Sequence, residues 1–527
     1  MNAQAGSVER HDGRGHRGNS TLRALGLSVA LVILAYALHK MSVLKPLDHD
    51  EHQFIASGAT WARHGWLPYR DVPHHHLPYL SFLYATIFSL SDSLLGPARA
   101  VSVAGSLGIA LLTGYASAKA FEDRSPLLAT AVALLAVVVL IANPIFVYTS
   151  GRAWNHDLAA LLTIAAALVH MRWLAGRIGL GALAAGGAAL GLAVGMRSSF
   201  ALVIPAFAAS FLFLGPADKG ERARATAAFA IGGFVSLAPV LVFIAFAPEQ
   251  FAFGNFRYNT ELNTEYRRIT EWSVAMDLTG KLTYLRDEVL SHRRNSLLAV
   301  LYLIAVGSAG FANRGLRSRP RASKRAFLGM LLAFLLLAAW SPTPTWYQYF
   351  FPVIPFLIIG SAEALAGHPD LRSAAVPSFV VVLLALTSIA GLRHYVPAMT
   401  GRAGDSRVEF TRIVAAELAQ VTEPGRVATL GPIFALEAGR EIYPWLATGP
   451  FSFRTAALVE PGVRATYGIV SADELDRALK DDPPVAILTG IELGGDTEAP
   501  FSRFARRNGM RPHELSGGLI AWVPRAR

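Results

Sequence analysis

Residues 326–362 read AFLGMLLAFLLLAAWSPTPTWYQYFFPVIPFLIIGSA, 37 positions without a charged side chain. A helix crosses the hydrocarbon core of a bilayer with about 20 mostly apolar residues, so this run is too long for one span and long enough for two. The break falls at Pro342-Thr343-Pro344, because a proline removes a backbone donor and holds the residue before it away from helix. The stretch reads as a membrane hairpin, and that reading sets the class of the chain.

Charge-free runs of similar kind recur at residues 100–118, 125–151, 178–196, 198–217, 225–248, 295–313 and 373–392. Residues 22–44 form a span with Lys40 near its end, and residues 157–175 a short one that Arg172 ends by snorkelling. The expectation is a polytopic α-helical membrane protein with about 11 transmembrane helices. Composition agrees: 53% of the 527 residues are hydrophobic and 16% charged, against about 25% charged in an ordinary soluble domain. A soluble enzyme, a disordered chain and a nucleic-acid binder all fit poorly. Cysteine is absent, which excludes a disulfide framework, a thiolate metal site and a cysteine nucleophile.

Charge divides the chain. Residues 393–527 carry 16 Lys+Arg and 16 Asp+Glu, so the net +11 lies entirely in residues 1–392. Three segments follow: a basic terminus (1–21), a membrane domain (22–392) with long outer loops at 45–99 and 249–294, and a soluble tail (393–527). Residues 76–96 are apolar but carry several serines and Asp92. If they do not cross, the loops at 119–124, 172–177, 219–224, 314–325 and around Arg372 share one side with 14 Lys+Arg, against two at Arg152 and Arg197 opposite. Cytoplasmic loops accumulate Lys and Arg, so this segment reads as interfacial or re-entrant, the amino terminus as cytoplasmic and the tail as external. Residues 22–44 read as a retained anchor, having no convincing small-residue cleavage site.

The tail has α/β character. Residues 406–421 are helical in pattern, 426–430, 485–489 and 519–523 are apolar runs of strand length, and Ser471-Ala-Asp-Glu474 reads as a capping box. It contains no Gly-rich phosphate loop, nucleophile elbow or metal motif.

Chemistry concentrates in the first outer loop: Asp48-His-Asp50-Glu51-His52, then Gly65-Trp-Leu-Pro68-Tyr69-Arg70-Asp71, then His74-His75-His76-Leu-Pro78. A partly desolvated carboxylate is a better general base near neutral pH; the alternative is a loop whose acids simply meet water. Arg197 interrupts an apolar run, where a charge is costly and often functional, or it is a hairpin tip reaching for headgroups. Arg257, Arg267 and Arg268 lie in a loop that also reads as a plain interfacial helix. The histidines permit a divalent metal, although their spacing matches no compact zinc motif. The basic run 314–325 is explained by orientation and anionic lipid, with no nucleic-acid role.

The order of Asp50-Glu51, Gly65, Pro68-Tyr69, Asp71 and Pro78 resembles the first periplasmic loop of the GT-C glycosyltransferases. More narrowly, it resembles the bacterial branch near protein mannosyltransferases and the aminoarabinose transferases of lipid A. Residues 342–349 with Pro352 and Pro355 resemble that family's outer loop before its late Pro-rich span. The resemblance implies an inverting enzyme of the bacterial inner membrane whose soluble tail is periplasmic. Its donor is a polyprenyl-phosphate-linked sugar, its acceptor a hydroxyl on a membrane lipid, glycan or protein, and no cofactor is firmly required. It further implies Asp50 as base with Glu51 beside it, and Asp71 or a histidine in place of a second acid. Arg152, Arg197 and Arg257 are the candidate phosphate ligands, and His75, Tyr347 and Gln348 candidate contacts to the donor sugar and head, although Tyr is an ordinary interfacial residue at that depth. The rival is a transporter or flippase of lipid-linked glycan. Transporters place ionisable groups at the midplane of broken, repeated helices, whereas here the polar clusters lie at one surface and no repeat is evident.

Overall fold

The computed structural model describes residues 14–270, 275–312, 319–368, 375–492 and 496–525. The basic segment before residue 14, part of the stretch 314–325 and Arg372 fall outside them. The chain opens with α1 (Arg14–Leu44), α2 (His49–His64), α3 (Tyr79–Phe88) and α4 (Leu95–Ala120). It continues through α5 (Pro126–Ile141), α6 (Pro144–Thr149), α7 (Asp157–Leu174), α8 (Leu180–Met196), α9 (Ile204–Phe213) and α10 (Lys219–Phe246). An excursion of short helices follows: α11 (Pro248–Ala252), a π-helical stretch Phe253–Leu262, α12 (Asn263–Ile269) and α13 (Leu278–Tyr284). The bundle then resumes with α14 (Arg293–Ala312), α15 (Arg319–Trp340), α16 (Val353–Leu365) and α17 (Ala375–Gly391).

Among the described residues, 7 helices are long and apolar enough to cross a membrane by length and composition. The exposed flank of α10 shows why water is not its solvent: Ile231, Phe234 and Val235 are 61%, 78% and 69% exposed, an apolar surface a soluble bundle would turn inward. The count of 11 is not reached by this criterion. Asn143 and Pro144 break the run 125–151, leaving α5 with 16 residues, about 24 Å at 1.5 Å per residue and short of a ~30 Å core. α8, with 17 residues, and the pair Ser198–Phe213 are short for a related reason, separated at Arg197. α3 has 10 residues, about half a bilayer's thickness.

Small residues let the helices close. A Cβ at Gly187 would stand 1.8 Å from the Phe229 carbonyl oxygen, and one at Gly232 1.9 Å from that of Ala184, so α8 and α10 meet backbone to backbone. The basic loops gather at one end, where Arg177 pairs with Glu122 at 2.8 Å and Arg321 with Asp123 at 2.8 Å. The opposite end carries α2, α3, the excursion and the tail.

The tail begins with α18 (Tyr395–Met399), pinned to the bundle where the Tyr395 hydroxyl donates to the Ile141 carbonyl at 2.9 Å. Next come α19 (Arg407–Val421), β1 (Arg426–Thr429), α20 (Pro432–Glu437), β2 (Glu441–Ile442) and α21 (Pro450–Thr455), with β3 (Ala486–Thr489), β4 (Arg511–Glu514) and β5 (Ile520–Val523) completing the sheet. Strand order is β2-β1-β3-β5-β4; β1 is parallel to β2 and β3, and β5 is antiparallel to β3 and β4. The apolar runs at 426, 485 and 519 thus become the central strands. β4 carries Arg, Pro, His and Glu, all exposed at the edge, a polar strand with no periodicity to read. The helix after Ser471 starts at Leu475, leaving Ser471 in the turn before it.

The tail is docked, not tethered. Phe54, Ile55, Leu80, Ile433 and Leu436 share one core. Glu437 accepts from the Leu94 and Leu95 backbone N–H groups at 2.8 and 2.9 Å, supplying from α20 the acid that the N-terminus of α4 lacks in its own sequence.

Candidate active site

Asp48 opens α2 with extended backbone (φ −123°, ψ 153°). Its carboxylate accepts from the Asp50 N–H at 3.0 Å, while Glu51 reaches back to the Asp48 N–H at 3.3 Å, a capping box. One turn of helix therefore sends the neighbouring acids in different directions.

Glu51 turns inward and is fully buried. Its oxygens accept from Arg99 Nε at 2.8 Å and Nη2 at 2.7 Å, and from the Ala153 N–H at 2.9 Å. Arg99 also donates to the carbonyls of Ser42 (2.7 Å), Lys45 (3.0 Å) and Pro46 (3.3 Å). Burial pushes the Glu51 carboxyl up, but Arg99 outweighs it and holds the group below its usual value. Glu51 is thus engaged as a clamp between α2, α4 and the segment after α6.

Asp50 looks the other way, into a cavity of about 360 Å³ at the tail-bearing end of the bundle. Gln53 Nε2 donates to its Oδ1 at 3.0 Å. Burial, then Asp48, raises its pKa to about 6 against the pull of His49, Arg197 and Arg454.

Three arginines line the same cavity, each set on an aromatic ring. Arg197 Cζ lies 4.7 Å from the Tyr349 ring centre, Arg267 Cζ 5.4 Å from that of Trp346, and Arg454 Cζ 4.5 Å from that of Phe451. Arg197 also donates to Asn155 Oδ1 at 3.0 Å and Ser199 Oγ at 3.1 Å. Burial, then repulsion from Arg454, lowers Arg267 to about 10, still fully charged near neutral pH. Arg454 and Phe451 belong to α21, so the tail supplies part of the wall. His49 extends that contact by pairing with Glu492 of the tail at 3.1 Å. Tyr148, Gln348 and His76 line the remaining sides.

The other expected site residues lie elsewhere. Arg152 donates to the carbonyls of Pro46 (2.8 Å) and Tyr148 (3.2 Å) and does not line the cavity. Arg257 is half-buried outside the cavity and faces Glu261 at 3.5 Å. Tyr347 packs on Tyr148, and its hydroxyl accepts from Asn295 Nδ2 at 3.4 Å, behind the wall formed by Gln348 and Tyr349. His75 is buried behind the cavity, stacked on Tyr258 at 3.5 Å and bonded to Ser452 Oγ at 2.9 Å. Burial holds His75 and His76 well below the usual imidazole value, as neutral rings. Among the described residues, no three His, Asp or Glu side chains converge on a metal position.

Asp71 has a local task. It accepts from the Leu67 N–H at 2.8 Å and pairs with Arg70 at 2.7 Å. Burial raises its pKa, and these two bonds outweigh it and hold the carboxyl below the usual range. The turn it closes puts Tyr69 at φ 69°, where its hydroxyl donates to the His76 carbonyl and receives Asn255 Nδ2 at 3.2 Å. The π-helix meets the same loop so closely that a Cβ at Gly254 would stand 1.9 Å from the His74 carbonyl oxygen. Asp71→Ala is expected to cost about 1 kcal/mol of stability, as for a lost cap, and to leave ligand affinity in the cavity unchanged. Thermal unfolding beside a binding titration checks both.

Arg454 carried no local signal for a site, and nothing local separated Arg267 from Arg257 and Arg268. Residues 253–262 wind as a π-helix, so the face Arg267 presents does not follow from α-helical counting. Arg454 sits in a short helix of a domain that reads as separate in the sequence. The capping box at residues 48–51, by contrast, was legible and could have separated Glu51 from Asp50.

No family model matches the chain, and no curated protein is similar to it in sequence. Among solved structures, ArnT from Cupriavidus metallidurans bound to undecaprenyl phosphate is similar, with a TM-score of 0.61 and 15% identity over 94% of this chain and 98% of that one. ArnT from the same organism in the apo state gives 0.60 and 15% over 95% and 98%. At that identity the likeness is one of fold, and it spans both the helix bundle and the tail.

Proposed function

We propose that a chain with this GT-C fold is a membrane glycosyltransferase that moves a sugar from a polyprenyl-phosphate donor to a hydroxyl acceptor. The observation that carries this reading is the Asp50 carboxylate sharing one cavity with three arginines, Arg197, Arg267 and Arg454. The solved structure of similar fold with undecaprenyl phosphate bound supports the donor class. Asp50 takes the acceptor hydroxyl proton as the oxygen attacks the anomeric carbon. The bond from that carbon to the phosphate oxygen breaks on the opposite face, the electron pair leaves with polyprenyl phosphate, and the configuration inverts. A phosphate leaving group needs cations more than an acid, and Arg197, Arg267 and Arg454 supply them. The bundle sits in a bacterial inner membrane with its basic loops cytoplasmic, which leaves the cavity and tail on the periplasmic face.

Purified protein incubated with radiolabelled polyprenyl-phosphate sugars and a membrane extract tests the class. Release of free polyprenyl phosphate is expected. If no donor is consumed while reconstituted vesicles carry the lipid-linked sugar across the bilayer, the transferase reading fails. Removing one charge-assisted bond to the phosphate costs about 1.5–3 kcal/mol. Arg197→Ala and Arg454→Ala should therefore each weaken polyprenyl-phosphate binding roughly 10–100-fold, and Arg454→Lys less. Unchanged affinity in Arg454→Ala would remove the tail from the donor site.

A further inference from the structure

A second concavity, of about 390 Å³, opens at the same end of the bundle. The Tyr148–Tyr347 pair, with ring centres 5.5 Å apart, stands between it and the cavity that holds Asp50, and the His292 ring lies 5.9 Å from Tyr347 on the far side. Arg293 and Arg294 enter from the first turn of α14 and Arg393 from just beyond α17, while among the described residues no Asp or Glu lines the space. Arg294 is fixed by donating to the Ala142 carbonyl at the end of α5. Arg293 and Arg393 are exposed, and among the described residues neither pairs with a carboxylate.

Orientation does not account for this cluster. The basic loops that follow the charge rule lie at the opposite end, and the outer ends of spans are ordinarily poor in arginine. Converging guanidinium groups repel one another unless an anion lies between them, and their planar donor forks suit phosphate oxygens. α14, with 20 residues, begins at Arg293, so the positive end of its dipole adds to the same field. Below the cluster α17 presents apolar side chains outward: Val382, Leu386 and Ile389 are 54%, 61% and 60% exposed. Charge at the membrane surface therefore continues into a lipid-facing apolar flank, the layout of a phospholipid.

We propose that Arg293, Arg294 and Arg393 form a second anion site, separate from the donor cavity, that takes the phosphate headgroup of an anionic membrane lipid with its acyl chains along α17. The site does not depend on the transferase reading, because its test needs no turnover.

The full-length protein in detergent is titrated with phosphatidic acid, phosphatidylcholine and inorganic phosphate, with binding followed by native mass spectrometry and thermal stabilisation. Arginines at a membrane surface attract anionic headgroups over zwitterionic ones. Wild type should therefore bind phosphatidic acid roughly tenfold or more tighter than phosphatidylcholine. Arg293→Ala/Arg393→Ala should lose that preference, and since both side chains are exposed the fold should survive. Arg197→Ala should keep it, which separates this site from the donor cavity. No preference in wild type, or a preference that persists in the double variant, overturns the proposal. So does inorganic phosphate stabilising as strongly as the lipid, since the site would then take a free anion.

Discussion

Asp50→Asn is expected to lower donor turnover by roughly 10²–10⁴-fold, the usual contribution of a positioned general base, and to leave thermal unfolding nearly unchanged. The substitution is close to isosteric. The side-chain oxygen that accepts from Gln53 Nε2 at 3.0 Å is retained, and the cap of α2 belongs to Asp48. What is lost is the capacity to take a proton. The pH profile sharpens the test. A base works when deprotonated, and burial raises the Asp50 pKa to about 6. The wild-type rate should therefore climb with pH through about 6 and level off above it, and the residual rate of the variant should lack that limb. Equal turnover in the two proteins would move the base elsewhere, with Asp48 the nearest carboxylate lining the cavity.

Glu51→Ala fails for another reason. It leaves Arg99, whose side chain is 1% exposed, buried without its counter-ion, and breaking such a pair costs about 3–5 kcal/mol. Activity should fall because the fold loosens, so the melting temperature in detergent should drop while activity per folded molecule is partly kept. Glu51→Gln, which preserves shape and some of the bonds, loses less. The linkage has a definite sign. The folded Glu51 pKa lies below its unfolded value, so its stabilisation is complete above the unfolded pKa and is lost as pH falls through the folded one. The acid limb of stability should flatten in Glu51→Gln. A Glu51→Ala protein that melts like wild type would refute the clamp and return Glu51 as a candidate base.

The pair Asp50-Glu51 shows how far the sequence reading reached. It marked both acids as chemical, and their roles separate only when Glu51 is seen on Arg99. Arg197, conspicuous as a lone charge between apolar runs, lines the cavity. Arg257 and Arg267 looked equivalent in one loop, and the structure brings Arg267 to the cavity while Arg257 stays outside it beside Glu261. Asp71, with Gly65 and Tyr69, builds the turn that aims the histidine stretch. Its acid reads as chemistry in the sequence because capping and catalysis ask for the same residue type.

The sequence by itself determined the membrane class, the end of the bundle that gathers positive charge and the three apolar strands of the tail. Each is written in the chemistry of consecutive residues: about 20 apolar positions for a span, an excess of Lys and Arg in short loops, a short apolar run for a central strand. Tertiary structure alone decided which acid faces the cavity, which arginines surround it, and that the tail caps α4 through Glu437 and lends Arg454 to the site. Those outcomes depend on side-chain direction and on contacts between segments far apart in the chain, and neither is encoded in a local pattern.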